Sequence, residues 1–376
     1  MSEAQVASTS VEAEEQELAF ASQWRLMWMR FRRHRLALIG GVVLLVFYVL
    51  AAFCEFVSPY DPNQRHPEYV LCPPQEIRFF DDQGEFHLRP FVYGLREDPH
   101  SSVWEREYLL NTERRYPIHF FAAGPSYKMW NLFTAETHLF NAGAGPAFLF
   151  GTDDLGRDVF SRILYGARIS LTIGLIGVAM TFFIGIFLGG LAGYYSGWID
   201  IVVQRMIEVL MAVPQLPLWM ALSAALPAHW PPLWIYFGVT IILSLMGWTG
   251  LARVVRGRFL SLREEDFVVA ARLSGTSEIK IIFKHLLPSF LSHVITSATL
   301  AVPGMILGET ALSFLGIGLR APVVSWGVLL QKAQNFQAVT MAPWLLLPGL
   351  FVVIAVLSFN VMGDGMRDAA DPYASR

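Results

Sequence analysis

An all-α membrane protein of six transmembrane helices, with a small mixed insertion outside the membrane, is the fold class this sequence predicts. Three observations predict it. The 376 residues are 54% hydrophobic and only 16% charged, with a mean hydropathy of +0.44, beyond the usual range of soluble domains. Six segments are apolar over roughly 20 residues, the length a helix needs to cross a hydrocarbon core of about 30 Å. Finally, six crossings bring the two densest clusters of Arg and Lys to the same side, as the positive-inside rule requires.

The spans fall at 36–57, 169–194, 204–226, 233–252, 290–315 and 343–362. The first is too long, and too far from the start, for a cleaved signal peptide. Arg25, Arg30, Arg32, Arg33 and Arg35 precede it, while Arg253, Arg256, Arg258, Arg263, Arg272, Lys280 and Lys284 lie between the fourth and fifth spans. Both termini and 253–289 are therefore expected to be cytoplasmic, and 58–167 extracytoplasmic. The division expected is a disordered tail rich in Glu, Ser and Ala at 1–23, a basic segment with the first span at 24–57, and the insertion at 58–167. A five-helix transmembrane domain at 168–363 and a cytoplasmic tail at 364–376 complete it.

Several function classes are excluded. A net charge of −3 gives no bulk attraction to nucleic acid. Cys54 and Cys72 are too few for a disulfide framework or a thiolate metal site, and no cofactor or metal site is expected. HExxH and GxSxG are absent, so neither zinc-protease nor elbow-serine chemistry is expected; Ser277 and Lys280 keep an SxxK spacing alone, without its companion motifs. The absence of GxxxxGK[ST] means that any ATP-derived energy must come from a partner.

Residues 261–289 are the most informative stretch. Ser261 and Glu264 make a capping-box pattern, with Glu265 and Asp266 adding the negative charge a helix N-terminus favours. The helix expected there presents Phe267, Ala270, Ala271 and Ser274 on one face and ends at Gly275, where a left-handed residue belongs. A second helix, 278–287, carries Ile279, Ile282, Phe283 and Leu286 on one face and stops at Pro288. Two readings are open: a handle for a cytoplasmic partner, or an amphipathic loop packed under its own bundle.

At these residues the chain resembles the inner-membrane permease subunits of ABC importers. Their signature runs Glu-Ala-Ala, three residues, Gly, nine residues, a hydrophobic, one residue, Leu-Pro. Here it reads Val269-Ala270-Ala271, Gly275, His285, Leu287-Pro288, with Val269 in place of Glu and His285 in place of the hydrophobic. The stretches 151–171, beginning GTDDLGRD, 309–318, reading ETALSFLGIG, and 363–372 resemble the dipeptide, oligopeptide and nickel permeases, in particular the "C" member of the permease pair. The resemblance implies the type I ABC importer permease fold in the cell inner membrane. It further implies a heterodimer with a second permease, two cytoplasmic ABC ATPases and an extracytoplasmic substrate-binding protein. It assigns ATPase coupling to Phe267, Val269, Ala270, Ala271, Gly275, His285, Leu287 and Pro288. The cargo implied is di- or oligopeptides, with nickel or another small solute as the alternative. A membrane sensor would share the coupling logic and is the reading from another class.

Within the spans, Gly185, Gly189 and Gly193 form two GxxxG steps suited to close helix packing. Pro214 and Pro217 interrupt the third span and Pro303-Gly304 the fifth, as hinges or as static bends. Glu208 is expected to pair with Arg205 at the interface, and Asp153, Asp154, Arg157 and Asp158 to cap the outer start of the second span. Glu309 lies deep in the fifth span without a counter-charge within a turn. It is a candidate for the translocation pathway or gate together with Pro303 and Pro214, a helix N–H or a partner's polar group being the other destinations. In the insertion, 76–80 and 85–89 read as two strands about the turn 81–84, in a lid that either seats the binding protein or packs on its own bundle.

Overall fold

The computed structural model describes residues 23–99, 106–143, 145–227 and 229–370; residues 1–22 of the expected N-terminal tail and 371–376 lie outside them. Among the described residues five helices are long and apolar enough to cross a membrane, and the bent pair Gly197–Ala212 and Gln215–Ala224 stands where the remaining crossing is expected. The spans are Arg35–Ala52, Val159–Tyr195, the bent pair, Pro232–Leu262, Leu291–Phe314 and a last one whose regular helix is Leu347–Ala370.

Several spans differ from their expected limits, the first helix ending at Ala52 and the third beginning at Gly197. The second starts at Val159, because Asp158 caps it by accepting the Ser161 N–H at 2.8 Å. The polar residues that interrupt its apolar pattern are all engaged: Arg162 donates to the Pro62 carbonyl at 2.9 Å, and Arg168 to Glu55 at 2.6 Å. The fourth span continues as helix through the basic stretch to Leu262, and the sixth continues through 363–370, taken from sequence as the end of the span and the start of a tail. The third span is not a straight helix. Pro214, at the cap of its second half, turns the chain by 89°, since a proline cannot donate to the preceding turn. The Arg205–Glu208 ion pair forms at 2.7 Å on an exposed face.

The second and fourth spans meet along the glycine seam. A Cβ on Gly189 would lie 2.5 Å from the Ala252 carbonyl oxygen, and one on Gly193 2.7 Å from that of Arg256. At Gly185 the Trp248 carbonyl would be at 3.1 Å. Only a residue lacking Cβ lets the backbones come this close, and such contacts replace the hydrophobic drive that is missing between helices in lipid. The first span buries Ala37, Gly40, Leu44 and Ala51 against the bundle. Ile39, Val42, Val46, Val49 and Phe53, at alternating spacings of three and four, form its exposed stripe.

Among the described residues the insertion holds five strands where two were expected: β1 (Arg78–Phe80), β2 (Phe86–Glu97), β3 (Tyr108–Pro117), β4 (His119–Met129) and β5 (Phe133–Asn141). They form an antiparallel β1-β2-β3 sheet and a β4-β5 hairpin. The expected turn joins β1 to β2, pairing Phe80 with Phe86, with Gly84 at φ +83° and the Asp81 carboxylate accepting the Gln83 and Glu85 N–H groups. The insertion is sewn to the bundle at its base. Cys72 and Thr152 exchange hydrogen bonds at 2.8 and 2.9 Å, and the Trp344 indole donates to the Thr152 carbonyl at 2.9 Å. In the turn that follows, Asp153 accepts from the Leu155 and Arg157 backbones and from the Arg157 side chain at 2.8–3.0 Å. Gly156, at φ +70°, presses on the His66 carbonyl where no side chain fits.

Burial pushes the Asp158 carboxyl up to about 6, against its hydrogen bonds from Ser161. A carboxyl raised in the folded state binds its proton more tightly there, so stability should rise as pH falls from about 6 toward the unfolded value near 4, and level off below. Thermal melts of the purified protein across that window should show this rise, and Asp158→Asn, which keeps a capping oxygen without the charge, should flatten it.

Candidate coupling surface, cavity and buried glutamate

The basic segment between the fourth and fifth spans has two short helical parts. The first is Asp266–Leu273; the Ser261–Glu264 capping box does not form, because Ser261 is still inside the preceding helix, and Glu265 occupies the cap without a side-chain bond. Its C-terminus follows the expected chemistry. Gly275 adopts φ +74°, its N–H bonds the Arg272 carbonyl, and the Thr276 N–H reaches back to Ala271, which is a Schellman closure. The second part is not one α-helix. Glu278–Lys280 runs into a π-helical stretch, Ile281–Leu286, then Leu287–Ser289, and the Leu287 N–H bonds five residues back to Ile282. Pro288 has no N–H to offer the Lys284 carbonyl, so regular bonding cannot continue here.

Both expected faces are redrawn. Val268 and Ala271 point inward, leaving Phe267 and Ala270 outside with Val269, Leu273 and Ser274. In the second part Ile281 and Leu286, five apart as a π-helix requires, are fully buried, while Ile279 and Phe283 are exposed and His285 and Leu287 half-buried. The outcome is an apolar surface, Phe267, Val269, Leu273, Ile279 and Phe283, with Leu273 85% exposed.

The end of the fourth span, which leads into this surface, is fixed to the corner between the second and third spans, and Arg272 of the surface segment reaches the same corner. Arg256 grips Asp200 with two bonds of 2.5 Å, Arg263 donates to Ser196 at 2.6 Å, and the Arg272 guanidinium lies 5.9 Å from the centre of the Tyr194 ring. Ser196 holds φ +55° beside Gly197 at +61°, a sharp corner between the two spans. Neither Asp200 nor Ser196 was singled out by sequence, since their partners lie 56 and 67 residues away.

Between the second, fourth and fifth spans and the second half of the third lies a cavity of about 420 Å³. Its wall is apolar apart from Thr181, Gln215 and Ser297, and includes Gly247, Gly250 and Gly304, whose backbone is bare. Pro214 and Pro303 stand directly before the wall residues Gln215 and Gly304. Glu309 is not in this wall. It is fully buried, and three hydroxyls donate to it: Ser170 at 3.1 Å, Ser313 at 2.8 Å and Ser325 at 2.7 Å. Each serine in turn accepts a backbone N–H, from Trp326, Leu319 and Val328 respectively. The glutamate is thus the hub that ties the loop between the fifth and sixth spans to the second and fifth. Ser313, one turn on, was within reach of sequence reasoning; Ser170, 139 residues distant, was not.

Among the described residues one trio has the spacing of metal ligands, Asp81, Glu85 and His87. Asp81 is already taken there: Arg115 donates to it at 2.7 Å, and a hydrogen bond with His87 holds its carboxyl down near about 2.

A helix–Gly–helix surface clamped beneath a glycine-lined cavity agrees with what the comparisons give. Residues 185–376 match the family described as binding-protein-dependent transport system inner membrane component. The chain belongs to this family. Residues 22–74 also match the N-terminal transmembrane domain of oligopeptide transport permease C. The dipeptide transport system permease protein DppC of Bacillus subtilis is 33% identical over 93% of this chain and 85% of its own length. DppC of Alkalihalophilus pseudofirmus is 42% identical over 63% of this chain and 77% of its own, and the oligopeptide permease OppC of Bacillus subtilis 38% over 63% and 76%. The permease is therefore a multi-pass membrane transport component with the family's fold.

Removing the hub carboxylate leaves three buried hydroxyls to find new partners, at about 1–3 kcal/mol for each group left unsatisfied. Glu309→Ala should lower the melting temperature of the detergent-purified permease markedly, and Glu309→Gln, which still accepts at one oxygen, by less. Equal melting of both variants and the parent would show that the hub carries no stability.

Proposed function

We propose that this permease forms half of the translocation pathway of an ATP-driven importer of di- or oligopeptides. The observation that carries the reading is the 266–289 surface: apolar, exposed and joined directly to the fourth-span end that Arg256 and Arg263 fix to the neighbouring spans, it is shaped to receive a partner and pass on its movement. The basic residues around it argue for a cytoplasmic position, with both termini on that side and the insertion outside. The partners are two ABC ATPases at this surface, a second permease across the pathway, and an extracytoplasmic binding protein. Phe267, Val269, Ala270, Ala271, Gly275, His285, Leu287 and Pro288 make or shape the ATPase contact. With Val269 where the signature has Glu, that contact is apolar.

ATPase closure would move the segment as one body with the corner at Ser196 and the attached span ends. The cavity then changes shape, its bare glycines and the breaks at Pro214 and Pro303 taking up the strain. Glu309 serves this pathway from behind the wall, holding the loop after the fifth span. Peptide cargo is supported by the relatives named as dipeptide and oligopeptide permeases. It is further supported by the cavity wall, where no His, Cys, Asp or Glu offers a ligand to nickel. The β1-β2-β3 sheet, with Phe79, Phe80, Phe86 and Leu88 exposed, is the part of the insertion that seats the binding protein.

Gly275 tests the coupling. A Cβ there meets nothing within 4 Å, so only the positive φ opposes substitution. Gly275→Val should lose most peptide uptake in the reconstituted transporter while ATPase activity persists, and Gly275→Asn, which tolerates left-handed backbone, should keep both. Normal uptake by the valine variant would remove the coupling role. Failure of every peptide, delivered with the binding protein, to stimulate the ATPase would overturn the cargo.

A further inference from the structure

The β4-β5 hairpin ends in an unusual tip. Trp130 and Asn131 adopt φ +50° and +60°, a turn normally occupied by polar residues and glycine, yet the sequence here is Trp130-Asn131-Leu132-Phe133. Trp130, Leu132 and Phe133 are 45%, 79% and 51% exposed. The tip is anchored at the end of the first span. The Trp130 indole donates to the Ala52 carbonyl at 2.7 Å, its ring packs on Phe53, and its backbone N–H reaches Glu55 at 3.4 Å. Glu55 is locked by Arg168 of the second span, which also bonds the Ala51 and Ala52 carbonyls. The height of the tip relative to the membrane is thereby set by two spans.

We infer that the Trp130–Phe133 tip lies in the bilayer, at the boundary between headgroups and acyl chains, and anchors the insertion to lipid. The exposed stripe of the first span decides the occupant. Ile39, Val42, Val46, Val49 and Phe53 climb one face of the helix and run directly into Trp130, so the lipid-facing surface and the tip are continuous. A Trp whose ring is apolar and whose N–H is held suits this depth, and Lys128, exposed at the neighbouring strand end, suits the headgroups above it. The hairpin then fixes the insertion to the membrane while the other sheet remains free for a protein partner.

Site-directed spin labels at Leu132→Cys and Phe133→Cys test this in the assembled transporter reconstituted into bilayers. Both residues are exposed, so folding should be unaffected. Native Cys54 and Cys72 are fully buried, and burial pushes the Cys72 thiol up to about 12, leaving it unreactive. Collisions with oxygen should exceed those with the polar relaxant NiEDDA at both sites, while a control label at Thr112→Cys on β3 shows the reverse. Labels relaxed mainly by NiEDDA would place the tip in water, and immobile labels reached by neither reagent would place it against protein; either result overturns the anchor.

Discussion

The buried carboxylate of Glu309 is the constraint on which the rest of the pathway's architecture depends. Inside a membrane protein every backbone polar group needs a partner, yet the loop after the fifth span must leave helical bonding to turn back. Three serines solve the problem by relaying its N–H groups to one acceptor: Ser170 from the second span, Ser313 from the fifth and Ser325 from the loop itself. The glycines around them follow from that closeness. Side chains at Gly318 or Gly327 would come within 2.8 Å of the backbone at Ser313 or Thr310. Glu309, for which the sequence left the pathway, a helix N–H or a partner's polar group open, is held in this geometry by the three serine hydroxyls.

At the opposite end of the same spans the fixing is done by arginines. Arg256 and Arg263, at the end of the fourth span, hold Asp200 and Ser196 at the corner between the second and third spans, and Arg272 of the segment 266–289 lies over the Tyr194 ring. Between the two locked ends lie the glycine seam, the cavity and the proline breaks.

Much of this was legible in sequence because it rests on local chemistry. The apolar lengths located the five long spanning helices and the bent pair, and the position of Gly275 predicted its left-handed closure. The capping box at Ser261 misled, because the fourth helix found enough propensity in the basic stretch to run past it. The second span looked shorter than it is because Arg162 and Arg168 interrupt its apolar run, and their partners Pro62 and Glu55 lie 100 and 113 residues away. Strands β3 to β5 escaped notice because β3 is exposed along much of its length and a bulge interrupts the alternation of β4. The serine hub and the hairpin anchor depend on pairings across the fold, which no local pattern encodes.

The central claim is that the 266–289 segment and the second-to-third span corner move as a unit while the cavity reshapes. Spin-label distances in the reconstituted transporter, before and after trapping with ATP and vanadate, test it most directly. Labels at the exposed positions Leu273 and Trp198 should keep their separation, while labels at Gln215 and Ser297 across the cavity should change theirs. A shift in the first pair with no change in the second would contradict the account.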